Sequence, residues 1–168
     1  VLETLQVINQ LKRIRLIKDY CVVGGYALAY YTEPFYTYDL DIFVLVEDME
    51  EFHRLHKFSI VKGYTVNRKG HFMIGGFPVH FLLSLAHPLM AEAIKEAKRI
   101  RIKNTRTKMI TIEYLMATLL LSFRAKDKIA ILELLQYADH GKLDNILRKF
   151  SDEKNLLFER LGQILGSL

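Results

Sequence analysis

The sequence predicts an α/β (α+β) fold: a mixed sheet flanked by helices, with a helical C-terminal segment. Three observations predict it. Short β-branched runs, Cys21–Val23 and Leu40–Val46, alternate with helix-compatible stretches in the first half. Glycine-punctuated strands follow between Tyr64 and Leu83. From Leu85 onward, apolar residues recur mainly at helical spacing. The predicted division is an α/β core over residues 1–86 and a mainly helical part over 87–168, packed together as one unit. A chain of 168 residues, 51% hydrophobic and 26% charged with three prolines, supports a buried core rather than disorder.

Taken in order, Leu2–Lys18 reads as an amphipathic helix, with Leu5, Ile8, Leu11 and Ile14 on one stripe and basic residues in its last turns. Cys21–Val23 is the first strand, broken by Gly24–Gly25, and Tyr26–Tyr31 starts a helix. Leu40–Val46 is the second strand. Acids over Glu47–Glu51 open a helix that runs to about Val61, where Gly63 ends it. His53 and His56 lie on that helix as surface or packing residues. Three strands are expected as a meander: Tyr64–Asn67, His71–Ile74 and Pro78–Leu83, with Pro78 suited to a first strand residue.

Beyond it, Met90–Ala97 reads as helix and Arg99–Lys103 as a short basic strand. Thr111 is the expected N-cap of a buried helix over Ile112–Phe123. Helices over Lys126–Ala138 and Leu143–Phe150 follow, and Ser151 is the expected cap of a last helix with Asp152 and Glu153 in its first turn.

Composition excludes several classes. The single Cys21 offers neither a disulfide nor a cysteine metal cluster. Its apolar strand makes it a buried, inert thiol. No apolar run is long enough to span a bilayer and no secretory leader pattern opens the chain, so a cytoplasmic protein without a membrane partner is expected. The net charge of +5 is concentrated: Lys95–Lys108 holds seven basic residues against one acid, Glu96, a patch suited either to a polyanion or to solvent.

The chemistry sits at the second strand. Side chains alternate along a strand, so Asp39 and Asp41 point the same way. A carboxylate pair at the mouth of a core strand calls for a cation between them, and Mg²⁺ is commonly held by one or two carboxylates plus substrate phosphates. Strand, Gly24–Gly25, then helix presents backbone N–H groups at a positive helix end, where an anion is favoured.

Gly24–Gly25 followed, after thirteen intervening residues, by Asp39-Leu-Asp41 resembles the signature of the polymerase-β-like nucleotidyltransferase superfamily. Thr37-Tyr-Asp-Leu-Asp41 resembles the form found in the branch of AbiEii-type toxins and small (minimal) nucleotidyltransferases. Glu113, Leu115, Arg124, Lys126 and Asp127 match that branch's later elements, whereas Leu119 replaces its helix lysine and Ala130 or Ile131 a later acid. Phe35 stands where the branch usually has an arginine.

The resemblance implies a nucleotidyltransferase-like sheet and transfer of a nucleoside monophosphate from a nucleoside triphosphate to a hydroxyl acceptor: RNA, protein or small molecule. It implies Mg²⁺, or Mn²⁺, on Asp39 and Asp41, and phosphate binding by Gly24, Gly25, Thr37, Arg124 and Lys126. The superfamily's third acid belongs on the Pro78–Leu83 strand, where the sequence has His80. Three readings stay open there. His80 acts as base or ligand, or another acid reaches the site, or transfer is lost while nucleotide or partner binding persists. The last would suit a module of a toxin–antitoxin pair with an antitoxin partner.

Overall fold

The computed structural model describes residues 1–154 and 156–166. The described elements run α1 (Leu2–Arg13), β1 (Asp19–Val22), α2 (Gly24–Tyr31), β2 (Leu40–Leu45), α3 (Met49–Val61), β3 (Phe72–Ile74), β4 (Phe77–Leu83), α4 (Pro88–Glu96), β5 (Lys98–Ile102), β6 (Thr105–Met109), α5 (Ile112–Ser122), α6 (Ala125–Leu135), α7 (His140–Phe150) and α8 (Leu157–Gly166). The α/β fold with a mixed sheet and a helical C-terminal segment is therefore present. The sheet order is β3-β4-β2-β1-β6-β5. β2 pairs antiparallel with β1 and parallel with β4, so Asp41 stands beside His80 in register.

The sheet extends further along the chain than residues 1–86. β5 and β6 form an antiparallel hairpin, and β6 joins β1 in parallel at Val22 and Met109. β6 was not expected from the sequence, yet its pattern is period-two: Thr105, Thr107 and Met109 are buried, while Arg106 is exposed and Lys108 partly so. The buried Tyr20 hydroxyl holds this edge together by meeting Thr107 Oγ1 at 3.1 Å and donating to Asn9 Oδ1 of α1 at 2.7 Å.

Other expectations shift locally. α1 ends at Arg13, because the chain turns through Arg15 at φ 61° before Ile17 returns to the core. The first meander strand reduces to one bridge, Val66 with Phe72. Pro78 is the second residue of β4, beside the edge strand β3. Gly141 lies inside the first turn of α7, whose N-cap Asp139 accepts from Lys142 N at 2.9 Å. Ser151 closes α7 instead of starting α8, although its hydroxyl accepts from Phe158 N at 3.3 Å. Asp152 and Glu153 precede α8.

The core is continuous from the sheet into the helical segment, joining Leu5, Ile42 and Val44 to Met116, Leu134 and Leu161. Cys21 is fully buried, and burial pushes its thiol well above its ordinary pKa. α5 is the hub of the helical part, touching α2, α4, α6, α7 and α8. Its start is tied to α7 through buried Glu113, which accepts from Asp139 N at 3.0 Å and pairs with Lys142. Its last carbonyls, Leu120 and Leu121, accept from Arg160 of α8 at 2.7 and 2.9 Å. Free helix-end carbonyls need such partners.

The α5–α6 corner depends on one carboxylate. Asp127, only 2% exposed, accepts from Ser122 Oγ at 2.7 Å, Arg124 N at 2.9 Å and the Arg124 guanidinium at 2.8 and 3.2 Å. Burial pushes its pKa up, but these donors outweigh burial and hold it below the usual carboxylate value. The contribution is thus fully present above the unfolded pKa near ~3.9 and is lost as pH falls through the lower folded value. Asp127→Ala is expected to cost about 2–3 kcal/mol at pH 7 and less as pH falls through the folded value, as read by urea unfolding across that range.

Candidate functional site

β1 ends at Val22, and the chain enters α2 with no polar cap residue. Val23 N donates to Asp41 O at 3.0 Å, stitching the turn to β2. Gly24 then adopts φ 61°, a conformation that side chains disfavour. A Cβ built on Gly24 would lie 2.2 Å from Asp41 Oδ2, and one on Gly25 2.8 Å from Thr37 Oγ1. The two glycines therefore make room for two site side chains. The space that the sequence suggests for phosphate is, at the Cβ positions, taken by Asp41 and Thr37. Thr37 Oγ1 also donates to Asp39 O at 3.2 Å, fixing the approach to β2.

Around Asp39 and Asp41 stand two imidazoles. His80 Nδ1 lies 3.1 Å from Asp41 Oδ1, and His71 Nδ1 lies 3.6 Å from Asp39 Oδ2. The two rings stack, 4.7 Å between centroids with a 21° tilt. Each carboxylate thus faces its own ring. The hydrogen bond to Asp41 raises the His80 pKa against the opposing effect of burial, and the charges of Asp41 and Asp39 add to the rise. His71 was missed as a site residue from sequence. It lies on the short link into β3, outside the recognisable spacing, and only the folding of β3 beside β4 brings it to His80.

The side chains of Asp39 and Asp41 are 35% and 25% exposed, so both remain open to a ligand. Their hard oxygen donors suit Mg²⁺ or Mn²⁺. Among the described residues, no group of three or more His, Cys, Asp or Glu side chains is arranged to hold a metal. Two carboxylates fit the cation only if phosphate oxygens and water complete its coordination, which is the usual arrangement for Mg²⁺ with a nucleotide.

A cavity of ≈ 520 Å³ opens beside this pair. Gly24, Asp41 and His80 line it together with Met90 of α4, Leu119 of α5 and Arg124 at the start of α6, among others. Polar groups are thus grouped beside an apolar wall, the usual make-up of a small-molecule site. Arg124 reaches the cavity while paired to Asp127, and it feels the Asp41 charge. Lys126, in the first turn of α6, is exposed and does not line the cavity, nor do Asp39, Gly25 or Thr37. Leu119, where the resembling branch has a lysine, contributes apolar surface instead.

No family model matches the sequence. No curated protein matches it either. Its fold, however, matches solved structures. An antigenic nucleotidyltransferase-like protein from Paracoccidioides brasiliensis superposes with a TM-score of 0.66 at 15% identity, covering 98% of this chain and 86% of that one. The solution structure of the antibiotic-resistance factor ANT(2'')-Ia gives 0.53 at 12% identity, over 97% of this chain and 95% of that one. Its crystal structure with adenylyl-2''-tobramycin gives 0.52 at 12% identity, over 87% and 95%. At such identities the likeness is one of fold. Among the described residues no helix is long and apolar enough to cross a membrane. The chain has the fold of nucleotidyltransferase-like proteins, with Asp41 of its Asp-x-Asp pair lining a cavity.

Proposed function

We propose that the protein is a metal-dependent nucleotidyltransferase, moving a nucleoside monophosphate from a nucleoside triphosphate to a hydroxyl acceptor. The single observation that carries this reading is the packing of Asp41 against Gly24. One carboxylate oxygen of the pair lies over the start of α2, at the mouth of the cavity, in a fold shared with nucleotidyltransferase-like proteins.

The triphosphate would lie with its phosphates against Asp39 and Asp41 through the cation. Mg²⁺ or Mn²⁺ would offset phosphate charge and stabilise the attacking and leaving oxygens when bound. The acceptor oxygen bonds to the α-phosphorus as the α–β phosphoanhydride bond breaks, and pyrophosphate leaves. His80, held by Asp41 and 39% exposed, would take the acceptor proton when its ring is neutral. Arg124, with its planar fork, is the cavity-lining cation suited to a phosphate oxygen. Leu119 and Met90 give the cavity an apolar wall.

The assay is transfer of α-labelled ribonucleotides, with Mg²⁺ or Mn²⁺, to cell RNA, protein and small-molecule fractions. Label should be transferred by the native chain and not by Asp39→Asn/Asp41→Asn. His80→Ala is expected to lower the rate about 10²–10³-fold if the ring is the base. Absence of transfer by the native chain with every acceptor would contradict the reading.

One observation favours a second reading, a nucleotide- or partner-binding module without transfer, as in a toxin–antitoxin pair. The third acid's place is taken by His80, whose Nδ1 is committed to Asp41. That reading predicts nucleotide binding by calorimetry with no label transferred.

A further inference from the structure

The strand registers place a basic strip on the same sheet face as the Asp41 site. Asp41 and Phe43 share a face of β2, and Phe43 pairs with Cys21 of β1. Val22 therefore faces the other way, and so does its partner Met109. Lys108 returns to the Asp41 face, and Arg106 follows at two-residue spacing. Across the hairpin, Arg99 stands opposite Lys108 and Arg101 opposite Arg106. Like charges directly opposed across a strand pair are destabilising. This hairpin carries two such pairs side by side.

Only one of the four is neutralised. Lys108 donates to Asp19 at 2.7 Å, and the same carboxylate takes Lys12 at 2.7 Å. These two lysines and the Tyr20 N–H outweigh the opposing effect of burial, holding the Asp19 pKa low and the carboxylate charged. Arg99, Arg101 and Arg106 are exposed and have no ion pair among the described residues. Beside them lies a groove of ≈ 460 Å³, which they line together with Lys12, Lys108 and Asn9. Protection of an edge strand needs a charge, not two opposed pairs of one sign. Three of the four are arginines, whose forked donors suit phosphate oxygens.

The spacing selects a repeating anion. Arg99 and Arg101 are two residues apart on one strand, about 6.6 Å of rise, comparable with neighbouring phosphates along an extended polynucleotide. We propose that the β5–β6 hairpin binds the sugar–phosphate backbone of a single-stranded polynucleotide. This surface stands on the hairpin alone, since α4 packs on β1 and β2 between it and Asp41.

The test is fluorescence anisotropy without nucleotide or metal, from 50 to 200 mM salt. It uses labelled single-stranded RNA and DNA 20-mers of one sequence, with polyglutamate as competitor. The Arg101→Gln/Arg106→Gln variant is compared with Lys57→Gln/Lys69→Gln, which removes equal charge from exposed positions elsewhere. The native chain should bind. The hairpin variant should lose at least about 10-fold in affinity at 50 mM salt, and its log–log salt slope should fall by about 1.4, the share of two phosphate contacts. The lysine variant should change neither, and circular dichroism should show both variants folded. The RNA and DNA arms decide which polynucleotide is preferred.

The proposal is overturned if neither oligonucleotide binds the native chain, if the two double variants behave alike, or if polyglutamate competes as well as unlabelled RNA, which would point to an acidic protein. Binding without transfer leaves this surface standing and removes the enzyme. Transfer to a small molecule by a chain that binds no polynucleotide does the reverse.

Discussion

Replacing Asp41 by asparagine is expected to lower nucleotidyl transfer on the order of 10³-fold, about 4 kcal/mol of transition-state stabilisation. The change is isosteric, so the amide still fits over Gly24, where Asp41 Oδ2 sits 2.2 Å from the position a Cβ would take. Two things go with the charge. The cation loses one of its two carboxylates, and His80 loses the partner that orients its ring at 3.1 Å. Thermal unfolding should change little, because asparagine keeps the shape of the side chain and an oxygen that accepts a hydrogen bond. A large loss of rate with an unchanged melting temperature separates a chemical role from a structural one. Equal loss of both would place Asp41 in the scaffold.

The second large effect is expected at Gly24. Alanine there meets Asp41 Oδ2 and must also hold φ 61°. The left-handed conformation alone costs about 1–2 kcal/mol, and displacing a carboxylate at the mouth of β2 adds to it. Gly24→Ala should therefore destabilise by about 2–4 kcal/mol and abolish transfer. Gly63→Ala is the matched control. Gly63 also has a positive φ, 81°, but nothing lies within 4 Å of its Cβ position. It should show the conformational cost without loss of activity. Chemical denaturation of the two variants, beside their transfer rates, isolates the Asp41 contact. If Gly24→Ala is no less stable or active than Gly63→Ala, the close packing of Asp41 on α2 has no functional weight.

The site was legible in part because its elements are contiguous. Val22 to Tyr26 and Leu40 to Leu45 are adjacent strand–turn–helix and strand segments, and local pattern specifies both. The fold class followed from them. The packing around the glycines was not legible, because spacing shows that a Cβ is absent but not which atom fills its place. Asp41 and Thr37 fill it here.

What was not legible depends on distant pairings. His71 reaches Asp39 and His80 only through β3 and β4. β6 alternates threonine with arginine and lysine, so its charged residues masked a strand whose buried face is largely hydroxyl. Asp127 is only one position of the resemblance in sequence, yet it proves to be the buried clasp of the α5–α6 corner.

The most direct measurement is diffraction from a crystal of the protein with Mn²⁺ and a non-hydrolysable ATP analogue, collected at the manganese edge. The account predicts an anomalous peak bound by carboxylate oxygens of both Asp39 and Asp41 and by triphosphate oxygens, with the nucleotide entering the cavity lined by Gly24 and Arg124. Nucleotide bound elsewhere, or manganese away from the Asp39–Asp41 pair, would contradict it.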